Sequence, residues 1–339
     1  MTKKICISGY YGFDNFGDET VLKILIDNLK TYINLSNITV FSVNPKKTAE
    51  TFNVKSVNTF NPFSVVFSIF KCSYLISGGG SLLQDKTSIK SLIYYLMVFF
   101  TAFFFRKKVI IFAQGIGPIN NALLKKLTIM FLKHALYISV RDENSLNLLF
   151  DNGIKNAEKC FDPVWNINVN KTVNIGKIGV QLRKFPMITD VFINKLALNI
   201  NKYYSDKEIL ILSLQNKIDL EVCKKLKNVL NDINPEINVK IIENTSNIKV
   251  TEDISSCEAI IAMRYHACLV SVKSGVKLLP VNYDIKVQSL ANDFDLICIN
   301  SENDMDEKFR TFINSDIKYD ETKIYNRKYN FTNLLKYIN

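Results

Sequence analysis

Along the 339-residue chain, short apolar runs alternate with longer amphipathic ones. A run of four to six apolar, β-branched or aromatic residues suits a strand buried on both faces. An apolar residue every three or four positions suits a helix packed on one side. In the first half the pattern predicts strands at Lys4–Ser8, Ile38–Val43, Tyr74–Ser77, Val109–Ala113 and Leu136–Val140. Helices are expected at Glu19–Tyr32, Ser91–Phe105, Asn121–His134 and Glu143–Asn152. A second series has strands at Lys177–Leu182, Ile209–Ser213, Val239–Glu243, Ala259–Ala262, Lys277–Val281 and Leu296–Ile299. Its helices fall at Asp190–Tyr204, Leu220–Asp232, His266–Ser274 and Val287–Asp293, with a last short one at Thr332–Tyr337. The Asn-rich stretch Phe161–Ile175 carries few signals of either kind and is expected to link the two series.

This alternation predicts an α/β fold of two doubly wound, Rossmann-like parallel sheets facing a central cleft. The expected boundaries are residues 1–165 for the first domain, 176–315 for the second and 316–339 for a C-terminal extension.

The longest apolar run, Leu92 to Phe105, has 14 residues, short of the ~20 that span a bilayer. A buried core helix is the first expectation. Arg106, Lys107 and Lys108 follow it, so peripheral contact with a membrane surface is the second. The start MTKKICISGYYGFD enters a strand directly, without a signal-peptide run. A cytoplasmic protein is expected, or one peripheral to the inner face of the membrane.

Composition adds little to the fold and more to the ligand. With 47% apolar and 22% charged residues, both halves can bury a core. Lys and Arg number 43 against 32 Asp and Glu, a net charge of +11. That suits phosphates, acidic glycans or anionic headgroups, or reflects no more than a general Lys, Asn and Ile bias. No dense basic block with interleaved aromatics is present, so a nucleic-acid partner is not expected. The seven cysteines are scattered, with no CxxC pair. They suit small buried apolar residues of a reducing compartment, not a zinc site or a disulfide framework.

The unusual clusters follow directly after expected strands, where open parallel sheets collect ligands. Gly9-Tyr-Tyr-Gly-Phe-Asp-Asn-Phe-Gly-Asp-Glu19 lacks the GxGxxG spacing of a dinucleotide loop. Its Asn15 and Asp18 are candidates for sugar hydroxyls, although Asp18 and Glu19 also suit a helix's first turn. Gly78, Gly79, Gly80 and Ser81, between a strand and an expected helix, suggest a nest of amides for an anion. Gln114 and Arg141 stand at the next two strand ends, and Arg141 suits either a ligand anion or a salt bridge with a nearby acid. In the second half the same logic picks out Arg183, Gln215, Arg264, His266 and Lys286. His266, beside Arg264, is the candidate for proton transfer, because imidazole titrates near neutrality. The set asks for a small, multiply charged anion and contains no metal-ligand cluster.

Together GYYGFDNFGDE, SGGGSLLQDKTS, AQGIGPI, SVRDENS, FDPVW, AMRYHACLVSVKSG and PVNYDIKVQSL resemble, in order, the motifs of polysaccharide pyruvyl transferases. The likeness is greatest to the cell-surface-anchoring (CsaB) type and runs from about Ile5 to Leu290. It implies a fold similar to GT-B glycosyltransferases and phosphoenolpyruvate as co-substrate, with no metal or redox cofactor. It also implies a sugar or lipid-linked glycan acceptor, typically N-acetylmannosamine of a cell-wall precursor, that receives a 4,6-ketal and gives S-layer-type proteins a handle. The family's basic and proton-transferring positions fall on Arg141, His266 and Lys286. Arg183 and Arg264 are then expected to bind phosphoenolpyruvate. Tyr265 and Cys268 depart from the small apolar residues common there, which leaves the acceptor open. The alternative within this fold is a nucleotide-sugar glycosyltransferase; outside it, a non-catalytic carbohydrate-binding or membrane-scaffold protein.

Overall fold

In the computed structural model, residues 3–169, 176–244 and 246–338 are described. The chain forms two compact units: Met1–Ile167 with Arg327–Asn339, and Asn168–Asn326.

The first unit runs β1 (Ile5–Ser8), α1 (Phe16–Leu29), β2 (Ile38–Ser42), α2 (Pro45–Phe52), β3 (Lys55–Asn58), α3 (Pro62–Lys71), β4 (Tyr74–Ser77) and β5 (Gly80–Leu83). It continues with α4 (Ile89–Phe104), β6 (Lys108–Ile116), α5 (Ala122–Leu132), β7 (Tyr137–Val140), α6 (Glu143–Asp151) and β8 (Glu158–Lys159). These strands make one sheet in the order β3-β2-β1-β4-β6-β7-β8, with β5 paired to the end of β6. Every pairing is parallel. The central strands β1, β4 and β7 are buried at every position, as a sheet covered by helices on both faces requires.

The second unit has β9 (Lys177–Gln181), α7 (Asp190–Tyr204), β10 (Glu208–Leu212), α8 (Asn216–Ile233), β11 (Val239–Ile242), α9 (Asn247–Ser255) and β12 (Ala259–Ala262). Then come α10 (Tyr265–Ser274), β13 (Lys277–Pro280), α11 (Ile285–Asp293), α12 (Met305–Asn314) and α13 (Glu321–Tyr325). Its parallel sheet has the order β11-β10-β9-β12-β13. The last helix, α14 (Thr332–Ile338), returns to the first unit.

Several expectations are corrected. The segment 316–339 is divided between the units at Arg327 rather than forming one extension. Tyr329 and Phe331 sit against Phe112 in the first unit, with ring centroids 4.9 and 5.6 Å away. The stretch from Phe161 is not a plain linker. Asp162 accepts a hydrogen bond from the Val164 amide and caps a 3-10 turn, Pro163–Asn166, whose Val164 and Trp165 are fully buried. The expected linker residues 170–175 lie outside the described residues. Leu296–Ile299 makes no strand, only a single bridge from Ile299 to Val281. Elements α2, α3, α9, α12, α13, β3, β5 and β8 answer to no expected one.

Candidate functional sites at the strand ends

In the first unit, strand order reverses between β1 and β4, where a doubly wound sheet opens a crevice. The Gly9–Glu19 loop and the Gly78–Gly80 turn meet there. The glycines admit protein groups. A Cβ on Gly78 would lie 1.8 Å from the Tyr11 hydroxyl, and one on Gly9 2.4 Å from its ring. Tyr11 is itself buried, and burial pushes its phenol well above its ordinary pKa. A Cβ on Gly79 would strike Val21 at 2.8 Å. Gly80 has φ +103° and faces Asp18 Oδ1 at 2.9 Å from where its Cβ would be. The helix expected at Ser91–Phe105 is α4, which starts nine residues beyond Gly80, at Ile89; the short strand β5 comes between. Close packing leaves no room for a side chain at Gly9, Gly78 and Gly79, and the positive φ adds to it at Gly80.

Asn15 caps α1, its Oδ1 accepting from the Gly17 amide at 3.0 Å. Glu19 accepts from the Gly12 amide at 2.7 Å. Burial, aided by the nearby Asp18 and Asp14 carboxylates, raises its pKa from 4.5 to about 7. The sequence reading gave Glu19 a structural role alone; its titration near neutrality comes from enclosure by the glycine loop, which spacing does not reveal.

Gln114 does not reach outward. The register of β6 shifts between Ile111 and Gln114, and Ala113 takes a left-handed backbone (φ 46°), a conformation costing roughly 1–2 kcal/mol for a residue with a Cβ. The Ser139 hydroxyl accepts from the Ala113 amide at 2.9 Å and helps hold it. The bulge turns Gln114 inward, where its amide donates to Ser77 Oγ (2.6 Å) and the Gly78 carbonyl (2.8 Å). The Arg141 side chain is enclosed as well, 7% exposed. It donates to Asp162 at 2.5 Å and to Ser81 Oγ at 3.2 Å, passing beside Gly115, whose Cβ would lie 3.6 Å from its Nε. Of the two expectations for Arg141, the salt bridge is the one observed. Its partner Asp162 was hidden inside the expected linker.

In the second unit, β9, β12 and β13 are neighbours in register: Gln181 pairs Ala262, and Ala262 pairs Pro280. Arg183, His266 and Lys286 follow the ends of these three consecutive strands. Arg264 takes a different part. Its guanidinium donates to both oxygens of the fully buried Asp219 (2.8 and 2.6 Å) and to Gln215 Oε1 at 3.2 Å. Its backbone amide donates to Gln181 Oε1 at 2.7 Å. Asp219 also accepts from the Leu214 and Gln215 amides. Arg264 therefore fixes the entry to α10, whose first turn carries His266, rather than offering an open fork. Gln181 lies inside an ordinary strand pattern, and Asp219 in the first turn of α8, ahead of the expected start at Leu220, so neither stands out in the sequence.

His266 is half-buried, its ring edge-on to Tyr265 at 5.2 Å. Lys286 is half-buried in the first turn of α11, where Asp284 accepts from its amide at 2.9 Å. Arg183 lies over the Tyr283 ring at 5.5 Å. Its Nε–H is buried and makes no hydrogen bond among the described residues. Burial raises the Tyr283 phenol while the Arg183 cation draws it back. Of the expected basic set, then, Arg183, His266 and Lys286 share one sheet edge, Arg141 belongs to the other unit, and Arg264 is committed to Asp219.

The fold is that of GT-B-type enzymes. UDP-GlcNAc 2-epimerase from Methanocaldococcus jannaschii superposes with TM-score 0.70 at 15% identity, over 99% of this chain and 100% of that one. MnaA of S. aureus, solved with UDP, gives 0.61 at 12% identity over 96% and 90%. The lipopolysaccharide outer core galactosyltransferase WaaB gives 0.58 at 14% identity over 99% of each chain. No curated protein matches by sequence. The sequence profile of the polysaccharide pyruvyl transferases matches residues 15–285. The chain belongs to that family and is a pyruvyl transferase.

Proposed function

We propose that the chain moves the pyruvyl group of phosphoenolpyruvate onto two hydroxyls of a sugar, forming a 4,6-ketal and releasing phosphate. The acceptor in this reading is N-acetylmannosamine of a lipid-linked cell-wall precursor. The family match carries the transfer. The edge formed by Arg183, His266 and Lys286 supports the donor. Phosphoenolpyruvate presents a carboxylate and a phosphate; a guanidinium whose buried Nε–H makes no hydrogen bond among the described residues, with a lysine on the same sheet edge, offers charge-assisted hydrogen bonds to such groups.

His266 delivers a proton to the methylene carbon, which leaves positive charge at C2. One sugar hydroxyl attacks C2, the bond from C2 to the phosphate oxygen breaks, and the second hydroxyl closes the ring. Of the two hydroxyl protons, one balances the new methyl group and the other leaves with phosphate. Lys286 and Arg183 offset the charge on phosphate and carboxylate. Arg141, held by Asp162 and Ser81, acts in this reading by positioning strand β5, which carries Ser81.

Phosphate release from phosphoenolpyruvate, measured with and without N-acetylmannosamine glycolipid, tests the reading. Acceptor-dependent release is expected, and His266→Ala should lower turnover by about 10²–10⁴-fold. Consumption of a UDP-sugar instead, or near-normal turnover of His266→Ala, would overturn it.

A further inference from the structure

Helix α4 is apolar on its outer face as well as its inner one. Leu92, Tyr95, Leu96, Phe99 and Ala102 face the core. The opposite stripe, Ile89, Ile93, Met97, Phe100 and Phe104, is exposed, with Met97 at 64%, Phe100 at 61% and Phe104 at 71%. The neighbouring α3 repeats the pattern with exposed Phe63, Val66, Phe67 and Phe70, spaced as one helical face. The two stripes join where Phe70 and Phe104 both pack against Phe105, at 5.3 and 5.2 Å between ring centroids. Such a contiguous patch is larger than scattered surface residues would make.

Its surroundings are cationic. Between residues 51 and 141 stand eleven Lys and Arg and a single acidic residue, Asp85, so this segment carries +10 of the chain's +11. Asp85 faces the amides of Asn120 and Asn121, which hold its carboxyl below the ordinary range. Lys71 lies over the Phe67 ring at 3.9 Å and Lys107 over Phe70 at 5.7 Å, while Lys90, Arg106 and Lys108 are exposed. A cavity of about 410 Å³ beside Phe67 and Lys71 is lined also by Lys4 and Lys55. No helix among the described residues is long and apolar enough to cross a membrane. At 16 residues, α4 is about 24 Å long.

We propose that the exposed face of α3 and α4 docks on the surface of an anionic lipid bilayer. The Phe and Met side chains enter the interfacial layer, and the lysines and arginines at the margin meet lipid phosphates. Charge favours this occupant over a protein: an apolar field with cations at its margin and almost no carboxylate complements a surface that is negative and apolar beneath. The inference does not depend on the reaction proposed above, and its readout involves no turnover.

The test is sedimentation of the full chain with vesicles of phosphatidylcholine, with and without phosphatidylglycerol. Binding is expected only with phosphatidylglycerol. It should weaken at least tenfold when ionic strength rises from about 0.1 to 0.5 M, and by about tenfold or more in Phe67→Ser/Phe100→Ser. Lys71→Gln/Lys90→Gln removes two of the cations, keeps every exposed Phe and Met, and should also bind more weakly. Equal binding to both vesicles, or to neither, would overturn the proposal. So would a dimer in vesicle-free solution that the Phe substitutions abolish, because the face would then be an interface between copies.

Discussion

Replacing Asp219 by Ala strips four hydrogen bonds at once. Arg264 loses two, and the Leu214 and Gln215 amides lose their shared acceptor. Asp219 is fully buried and Arg264 nearly so, so little water reaches the orphaned guanidinium. Removing one partner of a buried ion pair costs about 3–5 kcal/mol. For a unit of this size each kcal/mol lowers Tm by about 2–4 °C, so a fall of roughly 10 °C is expected in a calorimetric or circular-dichroism melt. Asp219→Leu/Arg264→Met, which removes both charges, should recover much of that loss, since the main penalty is the unpaired charge. A fall below about 2 °C, or a double variant as unstable as Asp219→Ala, would refute the reasoning. Because Arg264 fixes the entry to α10, Asp219→Asn should also lower turnover at temperatures where it remains folded.

Glu19 makes stability depend on pH. Its folded pKa of about 7 exceeds the ordinary 4.5, so between those values the folded state holds a proton that the unfolded chain releases. Stability then falls as pH rises from 4.5 to 7, and chemical denaturation should show a flatter profile for Glu19→Gln over that window. Gly78→Ala drives a methyl to within 1.8 Å of the Tyr11 hydroxyl and should destabilise by about 2 kcal/mol or more. Tyr11→Phe should relieve part of that loss, because the next ring atom stands 3.0 Å away, and thermal melts of the four proteins form the cycle. Arg183→Ala should raise the KM for phosphoenolpyruvate about tenfold or more while leaving Tm within a few degrees, since its Nε–H makes no hydrogen bond among the described residues.

The central strands were legible because each is buried on both faces and therefore a nearly unbroken apolar run. The predicted Tyr74–Ser77 and Ala259–Ala262 agree with β4 and β12 residue for residue. Strand β3, by contrast, is a sheet edge with the sequence Lys-Ser-Val-Asn, only half-buried or exposed, and has no apolar run to announce it. Helix α3 was masked because its outer face is as apolar as its inner one, which erases the period that marks a surface helix. At the candidate sites, residues at strand ends were found, but their partners were not. Gln114 turns inward because of a bulge, Arg141 finds Asp162 and Arg264 finds Asp219 through contacts 21 and 45 residues apart in sequence. The packing of Tyr11 against Gly9 and Gly78 was not legible, because a missing side chain reads the same whether ligand or tyrosine fills the space.

The division of the chain at Arg327 has a consequence for assembly. Tyr329 reaches Ser139 Oγ at 3.1 Å, and Arg327 lies over the Phe161 and Trp165 rings. The first unit thus receives its closing piece only after the whole second unit has been synthesised. A chain cut short anywhere within the second unit therefore also lacks the residues that cover Phe112 and Ser139 in the first.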